Sequence, residues 1–185
     1  MKILIAEDES LIRLDLSETL TNLGFEIVAD VANGKDAVVQ TLQLKPEVVL
    51  LDVKMPVMDG LTAAESLIKE GYCCILITAF SSPEVVNRAT EIGVDGYIIK
   101  PWRAESLRPA IEIGYGQFLR RNKLETTIAN QEREMAEHKV IDRARAIIIS
   151  KYQLTEAEAF KVMQRAAMDG RKPMIDIAQS IIESN

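Results

Sequence analysis

The 185-residue chain has 1 histidine and 2 cysteines. With His138 alone, a zinc site built from several histidines is excluded. Cys73 and Cys74 are adjacent in an apolar stretch. Neighbours on a strand point to opposite faces, so they read as buried thiols rather than as a disulfide or a metal pair. Aromatic residues make up only 5% of the sequence, so a core must come from Ile, Leu, Val, Ala and Met, and 48% apolar content is enough for one. No uninterrupted apolar run is long enough to span a bilayer, and the strand-like opening MKILIA does not read as a signal peptide. A cytoplasmic protein without membrane association is the simplest reading. The formal net charge of −6 argues against nucleic-acid binding by the whole surface. That average conceals an asymmetry. Residues 1–103 hold 9 Lys and Arg against 16 Asp and Glu, whereas residues 104–185 hold 13 against 12. Within Arg143–Lys172 the balance is 7 against 3, so the far end of the chain carries a basic region.

What is present is a regular alternation. Lys2–Ala6, Glu26–Val31, Val48–Leu51, Cys73–Thr78 and Gly96–Ile99 read as strands, and the unbroken apolar run of Val48, Val49, Leu50 and Leu51 suits a strand buried on both faces. The stretches between them have helical spacing. Leu11, Leu14, Leu16 and Leu20 mark the first stripe, and Ala37, Val38, Thr41 and Leu42 the second. Leu61, Ala64, Leu67 and Ile68 mark the third, and Val85, Val86, Ala89 and Ile92 the fourth. Gly24, Gly71 and Gly93 follow where helices stop. Five strand–helix units in series predict an α/β fold with a doubly wound, five-stranded parallel sheet and right-handed crossovers.

From Ala104 onward no strand-like run follows. A seam of Leu107, Ile111, Gly114, Phe118, Arg121, Leu124, Ile128, Gln131, Met135 and His138 keeps three-four spacing, predicting a long helical linker over residues 116–138 that is either a short coiled coil or an amphipathic helix packed on something else. A small all-α unit of three helices is expected next. The first has the stripe Ile141, Ala144, Ile147 and Ile148. Thr155-Glu156-Ala157-Glu158 is a capping box that opens the second, with Ala159, Phe160, Met163, Ala166 and Ala167 inward. Gly170 ends that helix, Pro173 suits the first turn of the third, and Ile177, Ala178 and Ile181 face in.

In an open α/β sheet, ligands bind beyond the carboxyl ends of the strands. The residues expected there are chemically selective: Glu7-Asp8-Glu9 after the first strand, Asp52 after the third, Thr78-Ala79 after the fourth, Lys100-Pro101 after the fifth. Crowded carboxylates raise each other's pKa unless a cation intervenes. Hard oxygen ligands with room for water suit Mg²⁺, and the backbone carbonyl of Lys54 is a further candidate ligand. An Asp52 oxygen left free can attack a phosphoryl group to give an aspartyl phosphate. Lys100 and the Thr78 hydroxyl can neutralise the phosphoryl oxygens. Glu9 and Asp59 read as surface or capping groups.

AEDE at 6–9, LLDVKMPVMDG at 50–60, TA at 78–79 and YIIKP at 97–101 together give residues 1–115 a resemblance to the receiver domain of the two-component response regulators, a flavodoxin-like fold. The resemblance implies phosphorylation of Asp52 by a sensor histidine kinase, with Mg²⁺ held by Glu7, Asp8, Asp52 and the Lys54 carbonyl. It also implies a switch pair, Thr78 and Tyr97. Glu7 stands where many relatives have Asp.

The output half fits a DNA-binding helix-turn-helix poorly, because its tightest glycine turn leads into PMIDIAQSII, which has no basic residue. Residues 122–183 instead resemble the ANTAR domain, the RNA-binding output of transcription antitermination regulators. Ile141, Ala144, Arg145, Ala159, Phe160, Ala166, Ile177 and Ala178 sit where that family has its characteristic residues, and Ala146 stands where many relatives carry Gly. The whole arrangement most resembles the ethanolamine-utilisation antiterminator regulators. The implied function is binding of RNA hairpins in nascent leader transcripts, with a homodimer formed on phosphorylation. Arg143, Arg145, Lys151, Lys161, Arg165, Arg171 and Lys172 are available for phosphates, which position an RNA without specifying it. Arg145 is the first choice because it lies off the apolar stripe. A DNA-binding regulator and a protein-interaction module are the alternatives. An enzymatic output is not expected, since residues 116–185 lack any nucleophile–base or metal constellation.

Overall fold

The computed structural model of the protein describes residues 1–79 and 82–184, apart from the side chain of Ala129. The chain forms two compact units, Met1–Lys123 and Leu124–Asn185. In the first, β1 (Lys2–Ala6), β2 (Glu26–Val31), β3 (Val48–Asp52), β4 (Cys74–Thr78) and β5 (Gly96–Ile99) form one sheet in the order β2-β1-β3-β4-β5. Every pairing is parallel. Between the strands run α1 (Ser10–Asn22), α2 (Gly34–Leu44), α3 (Gly60–Lys69) and α4 (Pro83–Ile92), and α5 (Ala104–Tyr152) follows β5.

The continuous apolar strand runs are explained by cover on both faces. Ile3, Ile5, Val48, Leu50, Ile75 and Ile77 share one core with Leu16 and Leu20 of α1 and Leu107 and Ile111 of α5. The alternate residues Leu4, Ala6, Val49, Leu51, Cys74 and Leu76 share the other with Ala37, Leu61, Ala64, Leu67 and Ala89 of α2, α3 and α4. Period-two alternation thus sends each strand's residues to two different apolar layers. Cys73 and Cys74 are both buried and unpaired, one in each layer. Strand order reverses at β1 and β3, so their carboxyl ends open the crevice where ligands of such sheets bind.

Two glycines set close approaches. A Cβ on Gly60 would lie 2.0 Å from the carbonyl oxygen of Asp52, so only glycine lets α3 begin directly against the end of β3. A Cβ on Gly114 would meet Ile75 Cδ1 at 2.7 Å, so α5 rests on the sheet there through bare backbone. The positive φ of Gly24, Gly71 and Gly93 matches the expected helix stops.

Several stripe positions differ from expectation. Leu11 and Leu14 of α1 are exposed, and the inward line is Ile12, Leu16 and Leu20. Leu42 of α2 and Val86 of α4 are exposed as well. The long seam divides in two. Leu107, Ile111, Gly114 and Phe118 are buried within the first unit, which runs past Tyr115 to Lys123, so they belong to its core and not to a coiled coil. Leu124, Ile128 and Met135 are exposed.

The second unit contains the end of α5, α6 (Glu156–Gly170) and α7 (Met174–Glu183). Its core is Ala144, Ile148, Ala159, Met163 and Ala178, flanked by Val140, Ile141, Leu154, Met174 and Ile181. The capping box is present: Thr155 Oγ1 accepts from Glu158 N, and Glu158 Oε2 accepts from Thr155 N at 2.9 Å. Phe160 and Ala166, expected inward, are exposed. The residue that leaves α6 in the left-handed conformation is Arg171, at φ 48°, rather than Gly170. Pro173 is the N-cap of α7. Among the described residues no helix is long and apolar enough to cross a membrane.

Candidate functional site

The ends of β1, β3, β4 and β5 converge on one acidic crevice. Glu7, directly after β1, is fully buried, and Asp52, the last residue of β3, is 5% exposed. Lys100, just after β5, bridges the two, with Nζ 2.6 Å from Glu7 Oε2 and 2.7 Å from Asp52 Oδ1. The other Asp52 oxygen accepts from Lys54 N at 2.8 Å. Asp8 is exposed beside them, and one carboxylate oxygen from each of Glu7, Asp8 and Asp52 falls within 4.8 Å of the others. Thr78 is buried at the end of β4, and its carbonyl accepts from Lys100 N at 2.8 Å, fixing the β5 end. Asp8, Asp52, Lys54, Thr78 and Lys100 line a cavity of about 280 Å³. The Lys100–Pro101 peptide is cis.

Burial pushes the Glu7 carboxyl above its ordinary range. The hydrogen bond from Lys100 opposes that, and the nearby Asp52 charge adds to it. For Lys100, burial works against the charge, but hydrogen bonds to Asp52 and Glu7 outweigh it and hold the ammonium above its usual pKa. Three carboxylates stand against one ammonium, leaving two negative charges if all are ionised. A small divalent cation fits that excess and the all-oxygen donor set.

Tyr97 lies on β5 opposite Leu76 in register. Its ring packs half-buried on the layer shared with α3 and α4, and its buried hydroxyl has no hydrogen-bond partner among the described residues. Asp59 is a cap, accepting from Thr62 N at 2.8 Å, whereas the Glu9 side chain makes no capping bond.

Two arginines make contacts that residue spacing does not single out. Arg13 Nη1 donates to the Glu7 carbonyl at 2.6 Å while Nε reaches Asp30 Oδ1 at 3.1 Å, steadying the turn that carries the acidic pair. Arg121 lies 2.7 Å from Asp95 Oδ1 and donates to the Gly93 carbonyl at 2.6 Å. Asp95 is 3% exposed and also accepts from Cys74 N. The signal for Arg121 was available: a cation at an inward position of an apolar seam needs a buried anion.

In the second unit Arg143, Lys151, Lys161, Arg171 and Lys172 are exposed without an ion pair among the described residues. Arg165 is 3.8 Å from Asp169. Arg145 is half-buried, with Nη2 2.6 Å from Asp142 Oδ1. Arg143 and Lys151 share a groove with Ile147 and Ser150.

Residues 3–112 match the response regulator receiver domain and residues 129–182 match the ANTAR domain. Over 184 residues the chain is 39% identical to the transcriptional regulatory protein PdtaR of Mycobacterium tuberculosis, covering 99% of this chain and 90% of that one. Among solved structures, a DNA-binding response regulator of the LuxR family from Staphylococcus aureus is similar with a TM-score of 0.59 at 32% identity, covering 62% of this chain and 98% of that one. A chain of the CheX–CheY–BeF3–Mg²⁺ complex from Borrelia burgdorferi is similar with a TM-score of 0.57 at 25% identity, covering 60% and 86%. On both its matched segments and its near full-length relative, the chain belongs to the response regulators that join a receiver domain to a C-terminal ANTAR domain.

Proposed function

We propose that this chain is a phosphorylation-controlled antiterminator: Asp52 accepts a phosphoryl group from a sensor histidine kinase, and the C-terminal unit then holds RNA hairpins in a nascent leader transcript. The observation that carries the first half is Lys100 bridging Glu7 and Asp52 at the mouth of a cavity that Thr78 also lines. In the transfer, a P–O bond to an Asp52 oxygen forms as the donor's P–N bond breaks, and the electron pair leaves on the imidazole nitrogen. Lys100 then turns its charge to the phosphoryl oxygens, and the Thr78 hydroxyl donates to one of them. Tyr97 is the ring whose placement follows Thr78. Glu7, Asp8, Asp52 and the Lys54 carbonyl would hold a Mg²⁺ ion, which would supply the remaining charge neutralisation. The CheX–CheY complex, solved with BeF3 and Mg²⁺, supports that reading.

The second half is supported by the ANTAR match over 129–182 and by the exposed cations of Arg143, Lys151, Lys161, Arg171 and Lys172 on the same segment, which make no ion pair among the described residues. Bound hairpins keep the transcript from forming a competing terminator stem. We propose a receiver that ends where its folded unit does, at Lys123, past the expected limit of 115, a helical linker running on to 138, an RNA-binding part over 122–183 that overlaps the linker, and a cytoplasmic protein that dimerises through the exposed Leu124, Ile128 and Met135.

The test has two arms. Asp52→Asn abolishes labelling by radiolabelled acetyl phosphate while circular dichroism stays unchanged; label retained on that variant would refute the site. Gel shifts of the beryllofluoride-treated chain show retention of hairpin RNA over duplex DNA. The reverse preference would assign it to DNA.

A further inference from the structure

The second unit contains a groove that its core does not fill. It lies between the end of α5, α6 and α7, measures about 370 Å³, and has Ile147, Val162, Ala166, Ile177 and Ile181 on its walls. That is within the usual size of small-molecule sites, about 300–1,000 Å³. Tyr152, the last residue of α5, also lines it and is 63% exposed. Two hydroxyls, Ser180 and Ser184, also line it. Ser180 Oγ donates to the Asp176 carbonyl at 2.8 Å and Ser184 Oγ to the Ser180 carbonyl at 2.7 Å. Both hydroxyl protons are committed, so these oxygens present only acceptance to whatever enters. Through Ile147 and Lys151 the groove runs into a second, of about 490 Å³, lined by Arg143 and Ser150.

Apolar walls, an exposed ring, hydroxyl acceptors and the neighbouring cations of Arg143 and Lys151 make a defined combination. Single-stranded loops of RNA offer its complement: an unstacked base carried on a phosphate chain. A second copy is a poorer occupant, because it would bring another segment with 7 basic and 3 acidic residues against this one.

We infer that this groove takes one unpaired, amine-bearing base of an RNA hairpin loop, stacked on Tyr152, while Arg143 and Lys151 hold the adjoining phosphates. The inference rests on the RNA-binding reading above and adds where a base is read. Uracil has no exocyclic amine and offers the two serine acceptors only its single N3–H, so adenine, guanine or cytosine is preferred at that loop position.

The experiment uses the full chain with Mg²⁺ and beryllofluoride, and hairpin RNAs with a constant stem and a randomised loop, enriched on the wild-type protein. On the enriched hairpin, Tyr152→Ala weakens binding about tenfold or more, the range expected for loss of one stacked base, whereas Tyr152→Phe keeps it. Ala166→Leu, at a solvent-open wall position, weakens it by filling the groove. An abasic residue at one loop position produces the same loss on the wild type and little further loss on Tyr152→Ala, and uracil there is intermediate. Unchanged affinity of both Tyr152→Ala and Ala166→Leu would overturn the groove while leaving RNA binding intact. Retained RNA affinity with lost self-association would assign the groove to a second copy and overturn it equally. If the wild type enriches no hairpin, the RNA-binding reading fails and the inference fails with it.

Discussion

A buried carboxylate forces choices on its neighbours, and two in this chain show it differently. Glu7 and Asp52 share Lys100 in a crevice open to a ligand. Asp95 is closed in, and Arg121 is its cation. Burial raises the Asp95 carboxyl above its ordinary pKa, while the hydrogen bond from Cys74 N and the Arg121 charge pull it back. Arg121→Gln removes that cation and leaves a buried charge, which destabilises by about 3 kcal/mol at neutral pH. The raised pKa means the folded state binds the proton more tightly than the unfolded one. Stability tied to this group is therefore gained as pH falls through the folded pKa towards 3.8, and the deficit of Arg121→Gln shrinks over that window. Urea titrations of both proteins at neutral and mildly acidic pH measure this, and a deficit constant with pH would show that Asp95 is not its source. Asp52, Thr78 and Lys100 were legible because each ends an apolar run where a parallel sheet places its ligands. Arg13 was not, because its partners are a backbone carbonyl and a residue of another strand, and spacing records neither.

At the scale of elements, strands were read more faithfully than helix faces. A strand buried on both sides needs only an apolar run, and all five strands agree with expectation to within one residue at each end; β3 runs on to Asp52 and β4 begins at Cys74 instead of Cys73. Helix stripes fail where bulk misleads. Leu11 and Leu14 are larger than the surface requires, yet Ile12 and Leu16 face in. In the second unit the inward residues are largely alanines, Ala144, Ala159 and Ala178, because small side chains at the contact let helices approach closely. Phe160 beside Ala159 therefore looked central and is exposed. The α5 seam misled for another reason: one three-four spacing continues across two environments. Its first part covers the sheet, and Phe118 and Arg121 complete that cover beyond Tyr115. Truncation after Tyr115 deletes both, whereas truncation after Lys123 keeps them. The longer piece is more stable in thermal unfolding by about 3 kcal/mol or more, from the lost aromatic burial and the orphaned Asp95 together. Equal melting temperatures would place the working boundary at Tyr115.

For the whole molecule, the remaining question is what covers the later part of the seam. Leu124, Ile128 and Met135 are 64%, 53% and 65% exposed. Their spacing keeps them on one side of α5, and apolar side chains at that interval gain by meeting the same side of another helix. A second copy supplies one without any new sequence feature, and it also brings a second C-terminal unit. If the proposed function holds, two linked hairpins engage both units at once, with the second contact made at a high effective concentration. The Leu124→Glu, Ile128→Glu double variant places like charges at the proposed contact while leaving the buried part of α5 untouched. In sedimentation with Mg²⁺ and beryllofluoride, the wild type runs as a dimer and the variant as a monomer. The wild type also binds an RNA with two linked hairpins more tightly than one hairpin by about 10²-fold or more. The variant loses that margin and keeps its affinity for the single hairpin. A variant that stays dimeric would move the contact off this part of α5. A wild type with no margin for paired hairpins would mean that each unit acts alone, and phosphorylation at Asp52 would then have to work through something other than bringing two copies together.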